Sequence, residues 1–401
     1  TGIDIDSSRV KTLKLGISPI NHITDIDIAS MLNNGFAATD DYSIIKKMDI
    51  LILCVPTPLS KNREPDLSYI IDAANNAGSF MRHDQLIILE STTFPGTTDR
   101  QLLDAIESSS GLKNDKDFWL AFSPEREDPG NKKFTTQNIP KVVGSSSKDG
   151  AELAECLYKK AFETVITVND AKTAEAVKIT ENIFRSVNIA LVNELKVVFD
   201  AMDIDVWDVI DAAATKPFGF MPFYPGPGLG GHCIPIDPFY LSYKAKEFDV
   251  PTRFIELAGE INTKMPNYVV EKIIYALSES SKLSINGSNI LIIGLSYKKD
   301  IDDMRESPSI KIIEKLNKLG SQVSFHDSYI KDVSSYSIRK QLHHDKSIDL
   351  TKESIEKYDA IVISTNHSNI DYSLIASSAK VIIDTRNAMN NTPVNGYIIK
   401  A

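Results

Sequence analysis

Three cysteines in 401 residues are too few for a disulfide framework, and positions 54, 156 and 233 match no zinc-finger spacing. No apolar run approaches the roughly 20 residues needed to cross a bilayer, so no membrane contact is expected. Basic charge is also short. Lys and Arg number 44 against 54 Asp and Glu, a net charge of −10, which argues against nucleic-acid binding but leaves room for a local basic pocket. Repeats, low-complexity tracts and blocks of like charge are missing as well. What is present, 42% hydrophobic and 24% charged residues, is ordinary globular composition at a length suited to two or three domains. Scarce thiols fit a reducing cytoplasm. Cys54, in an apolar strand pattern, and Cys156, in a helical stretch, read as small core residues.

The first ~165 residues alternate short apolar strands, at 1–6, 49–55, 86–91, 119–123 and 141–144, with helical segments, a pattern that predicts a parallel α/β sheet. From about residue 170 the pattern changes. Residues 171–203 form a helical run free of Pro and Gly, long enough for a spine between domains and for a dimer surface. More helix follows to about residue 280. Strands then return at 289–294, 322–326, 360–364 and 381–384.

The most informative segment interrupts the helical middle. Pro225-Gly226-Pro227-Gly228-Leu229-Gly230-Gly231-His232-Cys233 places a thiol after a glycine-rich loop, and Asp237-Pro238 follows as an N-cap with proline at the first helical position. Backbone can approach a ligand closely at such glycines, and a nearby helix start favours the reactive thiolate. At the other end, Gly2-Ile3-Asp4-Ile5-Asp6 is consistent with the second strand of a dinucleotide-binding domain, with Asp4 on the adenosine ribose and hence NAD rather than NADP. A loop or capping aspartate is the other reading. The glycine fingerprint of such a domain belongs about 20 residues earlier, so the first strand and its Gly-rich loop are expected to be absent from the chain.

With these features together, the chain resembles the nucleotide-sugar 6-dehydrogenases, the UDP-glucose/UDP-N-acetylhexosamine/GDP-mannose dehydrogenase family. The resemblance runs from Thr1 to about Met389. It rests on Val55-Pro56-Thr57-Pro58, Ser91-Thr92-Thr93-Phe94-Pro95-Gly96, Ser123-Pro124-Glu125-Arg126, Lys178 with Asn182, Gly228 through Asp237, and Tyr297-Lys298-Lys299-Asp300 with Arg305-Glu306-Ser307. The fold it implies is α/β, with two Rossmann-like doubly wound domains joined by a central all-helical domain with a long spine helix. Residues 1–169 would bind NAD, 170–282 would carry the cysteine loop, and 283–401 would bind the UDP-sugar. A homodimer through the helical domain is also implied.

The activity implied is a four-electron, NAD-dependent oxidation of a sugar C6 alcohol to a carboxylate. Cys233 would be the covalent nucleophile, holding the aldehyde as a thiohemiacetal for the second oxidation and then as a thioester. Lys178 and Asn182, four apart and so on one helix face, would hold the C6 oxygen and water and stabilise the oxyanion. Asp237 would orient water or shuttle the alcohol proton, Glu125 would activate water for thioester hydrolysis, and Thr93 would sit near the nicotinamide. Val55, Pro56, Thr57, Thr92, Arg9 and Arg305 would contact the cofactor with Asp4. Arg126, Tyr224, Gly228, Gly230, Gly231 and Lys298 would line the substrate site with Glu125, Lys178 and Asn182.

Departures from the UDP-glucose pattern narrow the substrate. Ile236 stands where those members usually have lysine, and Arg126-Glu127 replaces an aromatic-leucine pair. Lys216-Pro217-Phe218-Gly219-Phe220 and the proline-rich run from Cys233 to Tyr240 look like the UDP-N-acetylhexosamine members, most like the UDP-N-acetylglucosamine 6-dehydrogenases of bacterial surface-polysaccharide pathways. UDP-N-acetylgalactosamine, UDP-N-acetylmannosamine and UDP-glucose stay open, because epimers are separated by contacts worth ~1–3 kcal/mol each. A two-electron hydroxyacid-type dehydrogenase or a non-catalytic sugar-nucleotide binder are more distant readings. His232, Cys233, His343 and His344 form no known zinc spacing, and no metal is expected.

Overall fold

The computed structural model describes residues 1–20, 23–60, 64–127, 134–231 and 234–401. Its contacts divide the chain into two compact units, Thr1–Ile179 and Thr180–Ala401.

In the first unit β1 (Gly2–Ile3) and β2 (Ala38–Thr39) pair in a small parallel sheet. A five-stranded sheet follows in the order β3 (Ile50–Leu53), β4 (Gln85–Leu89), β5 (Phe118–Phe122), β6 (Lys141–Gly144) and β7 (Val165–Val168). The central strands β4 and β5 are near-continuous apolar runs because both faces are covered. Leu51, Leu53, Ile87, Leu89, Leu120 and Val142 pack on one side, and their alternates Leu86, Ile88, Ala121 and Val143 on the other. The expected parallel order holds except at one junction, where β5 and β6 meet antiparallel through Phe122 and Gly144. A parallel crossover normally needs a helix-sized connection, and the described part of residues 123–140 holds no helix.

Both cysteine readings need correcting. Cys54 and Cys156 are exposed. Cys54 directly follows β3, the outermost strand of its sheet, and shares a side with exposed Ile52. Cys156 lies off the buried stripe Gly150, Ala154 and Tyr158 of helix Lys148–Tyr158.

The predicted spine is a single helix, Ala171–Asp200. Its buried side chains include Glu175, Lys178, Asn182, Ser186, Asn193 and Lys196. At 3.6 residues per turn these fall within an arc of about 80°. A polar stripe thus occupies the buried face, where an apolar one would be ordinary. The boundary between the two units falls within this helix, after Ile179.

The second unit contains helices Val206–Ala214, Asp237–Ala245 and Arg253–Ser281, then β8 (Asn289–Ile293), β9 (Gln322–His326), β10 (Ala360–Ile363), β11 (Val381–Asp384) and β12 (Tyr397–Lys400). The sheet runs β12-β11-β10-β8-β9, all parallel. Helix Arg253–Ser281 packs Val269, Val270, Ile273 and Leu277 onto one face of it. Strands β2, β7 and β12 are not marked in the sequence; each is only two to four residues long and none is a fully buried apolar run.

Because β8 lies between β9 and β10, the chain leaves it in both directions, and the loops after β8 and β10 bound a crevice of the kind that binds ligands in such sheets. Asp327, just after β9, braces that edge. Its carboxylate accepts from the backbone N–H of Leu295 (2.7 Å), Ser296 (3.1 Å), Tyr329 (2.8 Å) and Ile330 (2.9 Å), and lies 3.2 Å from His367 Nε2. His367 Nδ1 accepts from the Asp300 N–H at 3.0 Å, which leaves the Nε2 proton for Asp327. Burial alone would raise the Asp327 pKa, but His367 and the backbone donors outweigh it and hold it at about 2. A carboxylate lowered on folding stabilises above its unfolded pKa, and that stability is lost as pH falls through the folded one. Acidification from pH 4 to pH 2 should therefore cost the second unit about 2 kcal/mol through this group. Urea titrations across that window should show the loss, and Asp327→Asn should flatten it; an equal slope in the variant would contradict the assignment.

Candidate active site

The first unit offers its candidate residues at the carboxyl ends of β3, β4 and β5, where ligands of α/β sheets bind. Val55, Pro56 and buried Thr57 follow β3, and Ser91 through Gly96 follow β4. Ser91 Oγ donates to the Val55 carbonyl at 2.7 Å and ties the two loops together. Thr92 is half-buried, while Thr93 is wholly buried with its hydroxyl 3.4 Å from Glu175. Asp4 follows β1 and pairs with Arg9 at 3.0 Å. The helix after it is capped by Asp6, which accepts from the Ser8 N–H at 2.8 Å. The capping alternative for Asp4 therefore falls to its neighbour.

Glu125 follows β5. Buried Lys178 reaches it, with Nζ donating to the Glu125 carbonyl at 2.5 Å and lying 3.3 Å from its carboxylate. Beside it a second buried lysine, Lys141, donates to the Pro124 carbonyl at 3.2 Å and pairs with Glu90 at 2.9 Å. Arg126 answers from the other side, donating to the Pro140 carbonyl at 2.5 Å. Two ammonium groups thus hold successive carbonyls of the Pro124-Glu125 turn. A pocket of about 130 Å³ opens here, lined by Glu90, Glu125, Arg126, Glu127 and Lys141 among others.

In the second unit Asn182 Nδ2 donates to Asp237 at 2.6 Å, with both side chains buried. This corrects the reading of Asp237 as an N-cap. The helix starts at Asp237, the cap position is Ile236, and its side chain makes no capping bond. The carboxylate accepts from Asn182, which lies on the spine helix. His232 and Cys233 lie outside the described residues.

The glycine-rich loop before them is docked by a buried amide relay. Asn193 accepts from the Gly226 N–H at 3.0 Å and donates to Asn262 Oδ1 at 2.9 Å, and Asn262 donates to the Ser186 carbonyl at 3.1 Å. Pro266, within helix Arg253–Ser281, has no N–H for the Asn262 carbonyl, and Gly228 packs against that carbonyl. Gly231 has φ +83° and donates its N–H to the Arg305 carbonyl at 2.9 Å. A Cβ there would stand 2.8 Å from the Tyr297 ring. Two separated motifs, the glycine loop and Tyr297–Ser307, therefore meet. Lys298 is half-buried in the loop after β8. Arg305 is exposed and paired with Asp303 at 2.6 Å, and Tyr224, also exposed, donates to Asp211 at 2.6 Å.

Residues 1–162 match the NAD binding domain, 172–264 the central domain and 291–391 the UDP binding domain of the UDP-glucose/GDP-mannose dehydrogenase family. Over 98% of this chain and 92% of its own, Protein CapL of Staphylococcus aureus is 32% identical. The chain belongs to that family. The UDP-N-acetyl-D-glucosamine 6-dehydrogenase of Pseudomonas aeruginosa is 32% identical over 92% of this chain and 85% of its own. The solved structure of a UDP-D-ManNAc dehydrogenase from Pyrococcus horikoshii superposes with a TM-score of 0.89 at 32% identity, covering 100% of this chain and 92% of that one. The expected family, its fold and NAD as cofactor all stand. The coarse function is that of an NAD-dependent nucleotide-sugar dehydrogenase with a UDP-binding domain.

Several site residues escaped sequence reasoning. Glu175, Asn193, Asn262 and Lys141 are buried polar groups, and for the spine helix the signal was present: polar residues recur at spacings of three, four and seven on one face. Arg386, after β11, was also missed. Its guanidinium packs against Gly226, where a Cβ would stand 2.5 Å from Nη1, and its Nε donates to the Ser364 carbonyl at 2.9 Å. Burial lowers its pKa to about 10 against the pull of Asp384. The clue was a cation directly after an apolar strand.

Gly231→Ala should displace Tyr297 and the loop after β8. Calorimetric titration with UDP is expected to show at least tenfold weaker binding together with a modestly lowered unfolding midpoint, because alanine is strained at this φ; undiminished affinity would mean that the loop does not shape the nucleotide site.

Proposed function

We propose that the protein oxidises the C6 hydroxyl of a UDP-N-acetylhexosamine, UDP-N-acetylglucosamine foremost, to the uronate. What carries the reading is the spine helix, whose Lys178 is paired with Glu125 and whose Asn182, one turn on, is paired with Asp237. NAD supplies the hydride acceptor for both oxidations. Asp4, part-exposed after β1, suits the adenosine ribose, and the Val55–Thr57 and Ser91–Gly96 loops suit the rest of the cofactor.

Asp237 takes part in removing the alcohol proton as the aldehyde forms. The Cys233 thiolate then adds to the aldehyde carbon, and Lys178 and Asn182 stabilise the oxyanion of the thiohemiacetal. Loss of a second hydride gives the thioester. Glu125, with Lys178 beside it, activates the water that cleaves the C–S bond and releases the thiolate. Overall one alcohol, two NAD⁺ and one water give a carboxylate, two NADH and three protons. Lys298 and Arg386 suit the diphosphate of the substrate, Arg305 and Arg9 the cofactor, and Arg126, Tyr224 and the glycines Gly228, Gly230 and Gly231 the sugar nucleotide.

The functional division we adopt is 1–169, 170–282 and 283–401. A homodimer through the helical part is supported by exposed Phe184, Leu191 and Val198, seven apart on the side of the spine helix away from its polar stripe. A cytoplasmic setting suits the free thiols, and no helix among the described residues is long and apolar enough to cross a membrane.

UDP-N-acetylmannosamine is the second reading, favoured by the similarity to the Pyrococcus horikoshii protein. A turnover screen against UDP-glucose and the three UDP-N-acetylhexosamines decides between them. UDP-N-acetylglucosamine is expected to turn over fastest and to yield two NADH per sugar; one NADH would sink the four-electron reading, and a faster epimer would reassign the substrate. Cys233→Ser should abolish uronate formation while the protein still binds UDP. Uronate release at the wild-type rate from that variant would refute the covalent role.

A further inference from the structure

Glu175 is a wholly buried carboxylate to which no catalytic step is assigned. Four donors converge on it: the Gly96 N–H at 2.5 Å, the Thr98 N–H at 2.9 Å, Thr98 Oγ1 at 2.6 Å and, more distantly, Thr93 Oγ1 at 3.4 Å. All belong to the turn between β4 and helix Leu103–Ser110. The helical segment that starts there, Thr98–Leu102, receives no side-chain cap from Thr97; Glu175, from a different helix, satisfies its first N–H, that of Thr98, and the Gly96 N–H just before it. Gly96, at φ +99°, lets the turn fold back onto that carboxylate.

We propose that Glu175 is a positioning residue for the cofactor: it fixes the Ser91–Gly96 loop, with half-buried Thr92 and its backbone, in the geometry that receives the nicotinamide end of NAD. This rests on the reading of that loop as cofactor-binding given above. The spine helix explains why the anchor stands where it does. Glu175 stands three residues before Lys178, so the loop after β4 and the lysine on Glu125 are set in register by one rigid element. Burial pushes the carboxyl up to about 7 against the pull of Thr98 and Gly96, a cost that an apolar residue filling the same space would not carry. Every donor reaches an oxygen, and glutamine would turn an N–H₂ toward a backbone N–H.

Calorimetric titration of the full-length protein with NAD and with UDP tests this. Glu175→Gln is expected to weaken NAD at least fivefold and lower kcat at least tenfold, with UDP affinity within twofold and the unfolding midpoint little changed. NAD affinity and kcat within twofold of wild type would overturn the proposal, as would equal weakening of both ligands with a lowered midpoint, which marks a purely structural role. If the glutamine variant does not fold, Thr98→Val removes the 2.6 Å donor and leaves the carboxylate. It should weaken NAD alone, and unaltered NAD affinity there is equally fatal. Thr92→Ala separates the underlying reading: no effect on NAD removes the loop from the cofactor site and the proposal with it, whereas an effect there without one at Glu175 removes only the positioning role.

Discussion

Buried polar groups must find partners, and helix Ala171–Asp200 concentrates that demand along one face. A charged or amide group left unpaired inside a protein costs about 1–3 kcal/mol or more. Along one face of this helix Glu175, Lys178, Asn182, Asn193 and Lys196 are all buried. Each therefore dictates what lies against it. Glu175 requires N–H donors and receives the turn after β4, and Lys178 requires acceptors and receives Glu125. Asn182 takes Asp237, Asn193 takes Gly226 and Asn262, and Lys196 takes Asp200 and the Lys400 carbonyl. An apolar stripe would have buried the same area without specifying which loops sit where.

The same requirement explains how a mobile type of sequence becomes a defined loop. Residues 225–231 are mostly Gly and Pro, with almost no side chains to pack. Their positions come from backbone groups: the Gly226 N–H on Asn193 and the Gly231 N–H on the Arg305 carbonyl. Tyr297 fills the space that side chains at Gly230 and Gly231 would need. Glycine here removes bulk so that backbone meets backbone.

Much of this was legible in the sequence. The apolar runs of β4, β8 and β10 and the uninterrupted spine mark themselves, because two-sided burial and helical periodicity show in the local pattern of residues. Lys178 and Asn182 declare a shared face by their spacing alone. Partners separated by tens of residues do not. Nothing near Asp237 in sequence names Asn182, so an aspartate before proline reads as a cap, although the helix starts one residue earlier than that reading allows. Exposure of Cys54 likewise depends on β3 being the outer strand of its sheet, which is settled by strand order and not by the strand itself.

Two carboxylates after comparable strands show how the chemistry of each sheet was divided. Asp4 follows β1 and keeps a part-exposed carboxylate, engaged by Arg9 and the Asp6 N–H. It retains unused acceptor capacity. Asp327 follows β9 in the second unit, but six donors already converge on it: four backbone N–H groups, the Ser296 hydroxyl and His367. No acceptor capacity is left there for a dinucleotide ribose. Instead the carboxylate ties down the start of the loop after β8, the loop that carries Lys298. The two acids thus differ in hydrogen-bond supply: Asp4 is left partly open, and Asp327 is consumed by its own loops.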